Sequence, residues 1–431
     1  MQRFNLTFLL VFLFAVLVLS IFSMVMDPYV LFDTQRINAV NRYKPTGLSH
    51  IRLSKAYRVA GGQFDTLILG SSRTGRGLRC NMIDPAGGSC YNASTTAATP
   101  LESLRYLQQM QPATVYLGLD LFTVLDKRLL NDSFIDDRLR LSQDGLVNYR
   151  YYKQWVTDHL GSLVSSQAVD DSYITLRSQG KAALLPAADG MPVIFSDGSW
   201  GEDSARLEAR GGNVRGKRQE KRFLHIYGVM MELFQKVDKQ HHAPGTPVTE
   251  TIDQHLDAFR RIVEYCHVNN VRLKVFFNAA HAYYWQLAYK TVGRTPLEHW
   301  KRSVVEINAS VASRHQVDAF RVFDFSGINA VSVEEIPSSQ NSYHLMANFQ
   351  DVMHFSTRSG ADMLKVMAAE CGYAGDYSWG DCLEPDNIES LLETQWLAYQ
   401  QFSSDHKTEL ANFTRRAQAA LRQRQSSGRA W

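Results

Sequence analysis

Phe64-Asp65-Thr66-Leu67-Ile68-Leu69-Gly70-Ser71-Ser72-Arg73 changes character at its midpoint. Phe64 to Gly70 reads as a short buried strand that ends in glycine and runs into a tight turn. In open α/β sheets, sites form beyond the carboxyl ends of the strands. A serine on such a turn presents its hydroxyl and aims its backbone N–H at an incoming oxyanion. The competing reading is that Ser71 and Ser72 cap the next helix.

Working outward, 101–110 has helical spacing, Pro112 breaks it, and Thr114–Leu119 reads as a second buried strand. Strand, helix and strand in that order predict a parallel βαβ unit. The pattern returns later in the chain. A helix is predicted over 251–269, with Leu256, Phe259, Ile262, Val263 and Cys266 on one face. A strand over 271–277, a helix over 297–314 and a strand over 320–325 follow. Ser356 is placed to cap a last helix through Cys371, ended by Gly372, with Leu364, Met367, Ala368 and Cys371 on its buried side. Between the two α/β stretches, 127–248 reads as an insertion or lid, with helical patches at 148–160 and 223–237. Residues 386–431 read as a helical tail carrying Leu391, Leu392, Trp396 and Leu397.

The N-terminus departs from this pattern. From Leu6 to Met26 no residue is charged, and only Thr7, Ser20 and Ser23 are polar. About 21 residues at about 1.5 Å each give a helix of roughly 30 Å, the thickness of a bilayer's hydrocarbon core. Arg3 before the run favours a cytoplasmic N-terminus, and Asp27-Pro28 closes it. A cleaved signal peptide is the alternative, with Ile21-Phe22-Ser23 as its weak cleavage site; the run is longer than an ordinary signal core. The expected organisation is thus an anchor at 1–28, an α/β domain at 29–385 and the tail at 386–431. The chain is expected to be a single-pass protein of the cytoplasmic (inner) membrane with its large domain on the periplasmic or extracellular side.

Composition narrows the partners. A net charge of +3 over 431 residues gives no reason to expect nucleic acid. Five cysteines suit an oxidising compartment: Cys80 and Cys90 flank one short loop and Cys371 and Cys382 another, so each pair can form a local disulfide, leaving Cys266 free. Five unpaired thiols are the other reading. No spacing suits zinc, and no cofactor or metal is expected.

The second chemical motif is Asp351-Val352-Met353-His354, just ahead of the last α/β helix. A serine hydroxyl is a weak nucleophile until a base takes its proton. A histidine can do that, and an aspartate bonded to its other ring nitrogen holds the required tautomer.

A strand-Gly-Ser-Ser element near the start of the domain with Asp-x-x-His near its end resembles the SGNH/GDSL hydrolase superfamily. The resemblance covers roughly 64–124 and 251–372. It implies a three-layer α/β domain with a mostly parallel sheet, Ser72 as nucleophile, His354 as base and Asp351 as its orienter. Ser71 stands where the superfamily has aspartate. The second-block glycine is missing near Tyr91-Asn92-Ala93-Ser94, which offers Asn92, and Asp120 stands near the expected third-block asparagine. The oxyanion donors this implies are the Ser72 N–H and Asn92. These departures resemble the membrane-anchored branch of polysaccharide O-acetylation, including the alginate acetylation proteins, and the D-alanyl transfer proteins. That implies an O-acetyltransferase or esterase acting on an extracytoplasmic polysaccharide, supplied by a membrane-bound O-acyltransferase. A non-catalytic scaffold and an esterase for small esters are the rival expectations.

Other residues carry weaker expectations. Gly70 permits the nucleophile turn. Arg73 and Arg76 either meet an anionic sugar or solvate the helix start. His281 follows a strand at the active edge and either binds substrate or is structural. Tyr283-Tyr284-Trp285 either stacks on a sugar or packs under a loop, and Glu334-Glu335 reads as a solvated loop.

Overall fold

The computed structural model describes residues 2–84, 89–179, 193–201, 212–242, 247–337, 345–371 and 379–426. Among them run eight strands: β1 Thr66–Leu69, β2 Cys90–Asn92, β3 Thr114–Leu119, β4 Val193–Ile194, β5 Trp200–Gly201, β6 Arg272–Phe277, β7 Val322–Asp324 and β8 Asp381–Leu383. Six form one mixed, mostly parallel sheet in the order β2-β1-β3-β6-β7-β8, with only β8 antiparallel. The chain divides into two compact units, 1–63 with 108–110 and 132–207, and 64–107 with 111–131 and 208–431.

The larger unit holds the whole six-stranded sheet. β1, β3, β6 and β7 fall where apolar runs predict strands, because strands covered on both faces read as continuous hydrophobic stretches. Leu67, Ile68, Val115, Val275, Phe276, Phe277 and Phe323 are all buried. β2 and β8 are three-residue edge strands. Each edge is pinned by a disulfide, Cys80–Cys90 at β2 and Cys371–Cys382 at β8. Cys266 remains a free, buried thiol, which burial pushes up to about 12.

The helices Pro100–Leu107, Val248–Val268 and Arg294–His315 pack in sequence on one another, through faces such as Leu256, Phe259, Ile262 and Val263. The Ser72–Gly77 and Cys80–Ile83 helices both pack on Thr357–Ala368. The region 127–248 is divided between the two units. Residues 132–207 belong to the smaller unit, whereas the 31-residue helix Gly212–His242 belongs to the larger one. That helix packs on Ala282–Val292 and on Lys407–Ser426, so the tail's final helix is also part of the larger unit. Phe223, Tyr227, Tyr283 and Phe413 form the aromatic cluster joining these three helices.

The smaller unit contains the helix Gln2–Met26, whose stretch Phe4–Met26 is long and apolar enough to cross a membrane. Asp27 ends that helix in a left-handed conformation, φ 43°. Its carboxylate then accepts the Leu31 and Phe32 N–H groups, turning the chain. The helices Ile51–Gly61, Arg150–Val164 and Ser166–Arg177 join this unit around Tyr29, Leu53, Tyr57, Tyr151 and Ala168. Strands β4 and β5 pair antiparallel, and Trp200 of β5 lies under the buried Lys55 ammonium, 4.4 Å from its ring centre.

Candidate active site

The site is built at the carboxyl ends of β1, β3 and β6. In the order 2-1-3 the chain winds from β1 first to one side and then to the other, and in open α/β sheets sites form at such a reversal. Ser72 follows β1, Asp120 follows β3 and Asn278 follows β6.

Gly70 makes the turn after β1 possible. Its φ is +141°, and a Cβ there would lie 2.8 Å from the Gly118 carbonyl oxygen and 2.6 Å from Thr74 Oγ1. The two serines then divide the work. Ser71 is the N-cap, its Oγ accepting the Arg73 N–H at 3.2 Å. Ser72 is the first residue of the helix, so its N–H has no intrahelical acceptor. Its Oγ instead meets His354 Nε2 at 3.0 Å. Capping falls to Ser71 and the contact with the imidazole to Ser72.

The His354 loop is held from several directions. Gln350 N–H donates to the His354 carbonyl at 2.8 Å, closing the loop, and Phe349 and Phe355 form an isolated bridge around it. Asp351 Oδ1 accepts the N–H groups of Met353 and His354, both at 3.0 Å. The same carboxylate holds His354 Nδ1, at 2.8 Å from Oδ1 and 2.9 Å from Oδ2. Nδ1 therefore carries the ring proton and Nε2 faces Ser72 as the acceptor. The two halves of the site are locked at the backbone. A Cβ on Gly360 would lie 2.0 Å from the Gly77 carbonyl oxygen, and one on Gly77 would strike the Phe355 ring. The Ser72–Gly77 helix can approach Phe355 and the Thr357–Ala368 helix this closely only with glycine at both points.

Ser72 and His354 are 8% and 7% exposed, and Asp351 is fully buried. Burial alone would raise the Asp351 carboxyl. The facing His354, the Arg222 and Arg76 guanidiniums and the His354 hydrogen bond outweigh burial and hold it well below the usual carboxylate range. Burial is also the main influence on His354 and lowers it to about 4; Asp351 works against that shift, while Arg76 and Arg222 reinforce it. His354 is thus a neutral base at physiological pH, beside an ionised aspartate.

Asp120 and Arg73 form a buried ion pair beside the turn after β1, Nη1 to Oδ1 at 3.1 Å, with both side chains almost fully covered. Neither atom meets the geometry of an aligned hydrogen bond, so the contact is one of charge. Arg73 also lies over the Tyr284 ring, 4.2 Å from its centre. Asn278 Nδ2 donates to Asp120 Oδ2 at 3.1 Å, and Thr74 Oγ1 donates to Asn278 Oδ1 at 3.3 Å. Arg73 therefore neither solvates the helix start nor lies open to an anionic sugar. It compensates the carboxylate that stands near the expected amide.

Two other expected ligand-binding residues have structural roles. Asn92 Nδ2 donates to the Leu78 and Thr74 carbonyls at 2.9 and 3.3 Å, and its Oδ1 accepts the Ser94 N–H. Its amide tethers the end of the serine helix to these two carbonyls. His281 is buried and burial lowers it to about 4, so its ring is neutral. It caps the Ala282–Val292 helix through Nδ1, bonds the Glu334 carbonyl through Nε2, and donates its backbone N–H to the Val352 carbonyl at 3.0 Å. Glu334, expected to be solvated, accepts the Ala347 and Asn348 N–H groups and steadies the approach to Asp351. Tyr283, Tyr284 and Trp285 are all buried and act as packing.

Sequence reasoning missed three contributors, Thr74, Asn278 and Arg222. Asn278 directly follows β6 at the active edge, a position that by itself flags a site residue. Arg222 carries no such mark, since its Asp351 partner is 129 residues away. No protein-family model matches this chain, and no curated protein or solved structure matches it either.

Proposed function

We propose that the larger unit is a serine acyltransferase or esterase of SGNH type, a three-layer α/β domain working outside the cytoplasmic membrane. The observation that carries the reading is the unbroken relay Ser72 Oγ, His354 Nε2, His354 Nδ1 and Asp351, with links of 3.0 and 2.8 Å. Ser72 Oγ attacks an ester carbonyl carbon while His354 Nε2 takes the hydroxyl proton. The tetrahedral intermediate collapses, and the leaving alkoxide takes that proton from His354. A second hydroxyl, from a sugar or from water, then attacks the acyl-Ser72 ester; its proton passes through His354 and Ser72 is regenerated.

An extracytoplasmic polysaccharide as acceptor, and a membrane-bound O-acyltransferase as source of the acyl group, rest on the resemblance carried by Gly70-Ser71-Ser72 and Asp351-Val352-Met353-His354. The apolar Phe4–Met26 helix is consistent with a single-pass anchor for such a protein.

A second reading, a non-catalytic scaffold for polysaccharide modification, draws on the oxyanion side. Asn92 is committed to two carbonyls, and a carboxylate, Asp120, stands where an amide donor is expected. The experiment is to expose the full-length protein in detergent to a fluorophosphonate probe and a chromogenic acetyl ester, beside Ser72→Ala. Labelling and turnover that vanish in the variant establish the nucleophile. No reaction in either protein, both being folded, transfers the case to the scaffold.

A further inference from the structure

The helices Arg150–Val164 and Ser166–Arg177 are amphipathic in the inverted sense. Asp158 and Asp171 turn inward, whereas Asp170 of the second helix is exposed. Asp158 accepts from Arg138 Nε and Tyr57 Oη, each at 2.7 Å, and the buried Asp171 accepts from Tyr29 Oη at 2.7 Å. Apart from the buried Tyr151, their large apolar groups turn mostly outward. Tyr152, Val156, Leu160 and Val164, at successive spacings of four, are 66%, 47%, 55% and 50% exposed, and Trp155 is 43% exposed. That spacing makes one continuous stripe along the helix. Tyr173 and Ile174 of the second helix are likewise exposed. From His159 to Val169, across the junction of the two helices, there is no Asp, Glu, Lys or Arg.

Both helices pack on the Gln2–Met26 helix. Residues 4–15 of that helix are exposed all round, whereas Val16, Ser20, Ser23 and Met26, on one face of its second half, lose exposure. Val16 to Met26 spans about 16 Å, roughly half the hydrocarbon core. An element packed on that face lies at the depth of the leaflet the helix's second half occupies.

We propose that these two helices form a monotopic membrane contact, their outward apolar face embedded in the lipid leaflet beside the N-terminal span. The occupant is the bilayer itself, because both helices pack on the apolar span and the chain across their junction carries no charge. Exposed Tyr149, Tyr152 and Trp155 sit towards the start of the first helix, with Arg150 and Lys153 among them. Amphipathic rings mixed with cations match the interfacial zone, where indole and phenol rings prefer to lie and anionic headgroups attract basic residues. The proposal rests on the reading that Phe4–Met26 crosses the membrane.

The test uses the full chain in phosphatidylethanolamine–phosphatidylglycerol nanodiscs, spin-labelled at Val156→Cys or Leu160→Cys. Cys266, the one free thiol among the described residues, is fully buried and stays unlabelled. Leu13→Cys serves as the span control and Asp318→Cys as the aqueous reference. The expected result is that dissolved oxygen relaxes the Val156 and Leu160 labels several-fold more than a water-soluble nickel chelate does, as at Leu13. Nickel access at both positions, with Leu13 still shielded, overturns the lipid contact and leaves the anchor standing. Labels immobilised and shielded from both reagents overturn it in favour of a protein cover. Nickel access at Leu13 overturns the spanning reading and the proposal with it.

Discussion

Arg222 donates from Nε to Asp351 Oδ2 at 3.0 Å, bringing a cation from the Gly212–His242 helix against the buried carboxylate that orients His354. Asp351 is fully buried and also receives two backbone N–H groups and the imidazole. Arg222 helps keep this carboxylate ionised and fixed, and it lowers the basicity of His354 from a distance. A hydrogen bond to a charged group is worth about 1.5–3 kcal/mol. Arg222→Ala is therefore expected to lower kcat on an acetyl ester by roughly ten- to a hundredfold, with KM little changed. Arg222→Lys restores part of that loss. Steady-state kinetics on the two variants check this, and an unchanged kcat in Arg222→Ala would remove Arg222 from the site.

The pH dependence follows from the same charges. An ordinary histidine titrates near about 6.5, whereas burial, reinforced by Arg76 and Arg222, lowers His354 to about 4. The base works only while neutral, so kcat/KM is expected to be full at neutral pH and to hold through mild acid. It falls as pH drops through about 4, since this limb reports the free enzyme's base. Removing Arg222 or Arg76 takes away a charge that disfavours the imidazolium, so either variant shifts the acid limb upward. A limb near the ordinary histidine value in the unmodified protein would contradict the buried, neutral base.

The parts legible in sequence were those with a local signature. β1, β3, β6 and β7 are apolar runs, and the Ser72 and His354 motifs each occupy one short segment. β2 and β8 escaped because three residues carry no periodicity, although their disulfides mark both edges. Arg73, Asn92 and His281 were visible as polar residues at the active edge, but their roles are set by partners elsewhere. Arg73 meets Asp120 after β3, and His281 meets Glu334, 53 residues on. Polar type and position narrow the list of site residues; burial and partners decide which of them face a substrate.

Asn92 is where structural and catalytic readings give different numbers. An oxyanion donor, when removed, costs roughly a hundred- to a thousandfold in kcat. A buried amide that bonds two carbonyls costs stability instead, about 1–3 kcal/mol for the groups left unsatisfied. Asn92→Ala is expected to lower the Tm while the fluorophosphonate labelling rate per folded molecule stays close to that of the unmodified protein. A labelling rate down a hundredfold with unchanged Tm would restore Asn92 to the oxyanion hole.

Arg73 and Asp120 make the corresponding case for a buried pair. Both side chains are almost wholly covered, and burial raises the Asp120 carboxyl while Arg73 opposes the rise. Removing one partner leaves the other charge uncompensated in the interior, a loss of about 3–5 kcal/mol, whereas replacing both with apolar groups of similar volume is far less costly. Arg73→Met and Asp120→Leu are each expected to lower the unfolding midpoint strongly, and the double variant to recover much of the difference. Urea unfolding of the four proteins measures the coupling directly. Were Arg73 instead a surface contact for an anionic sugar, Arg73→Met would leave stability intact and the two substitutions would simply add.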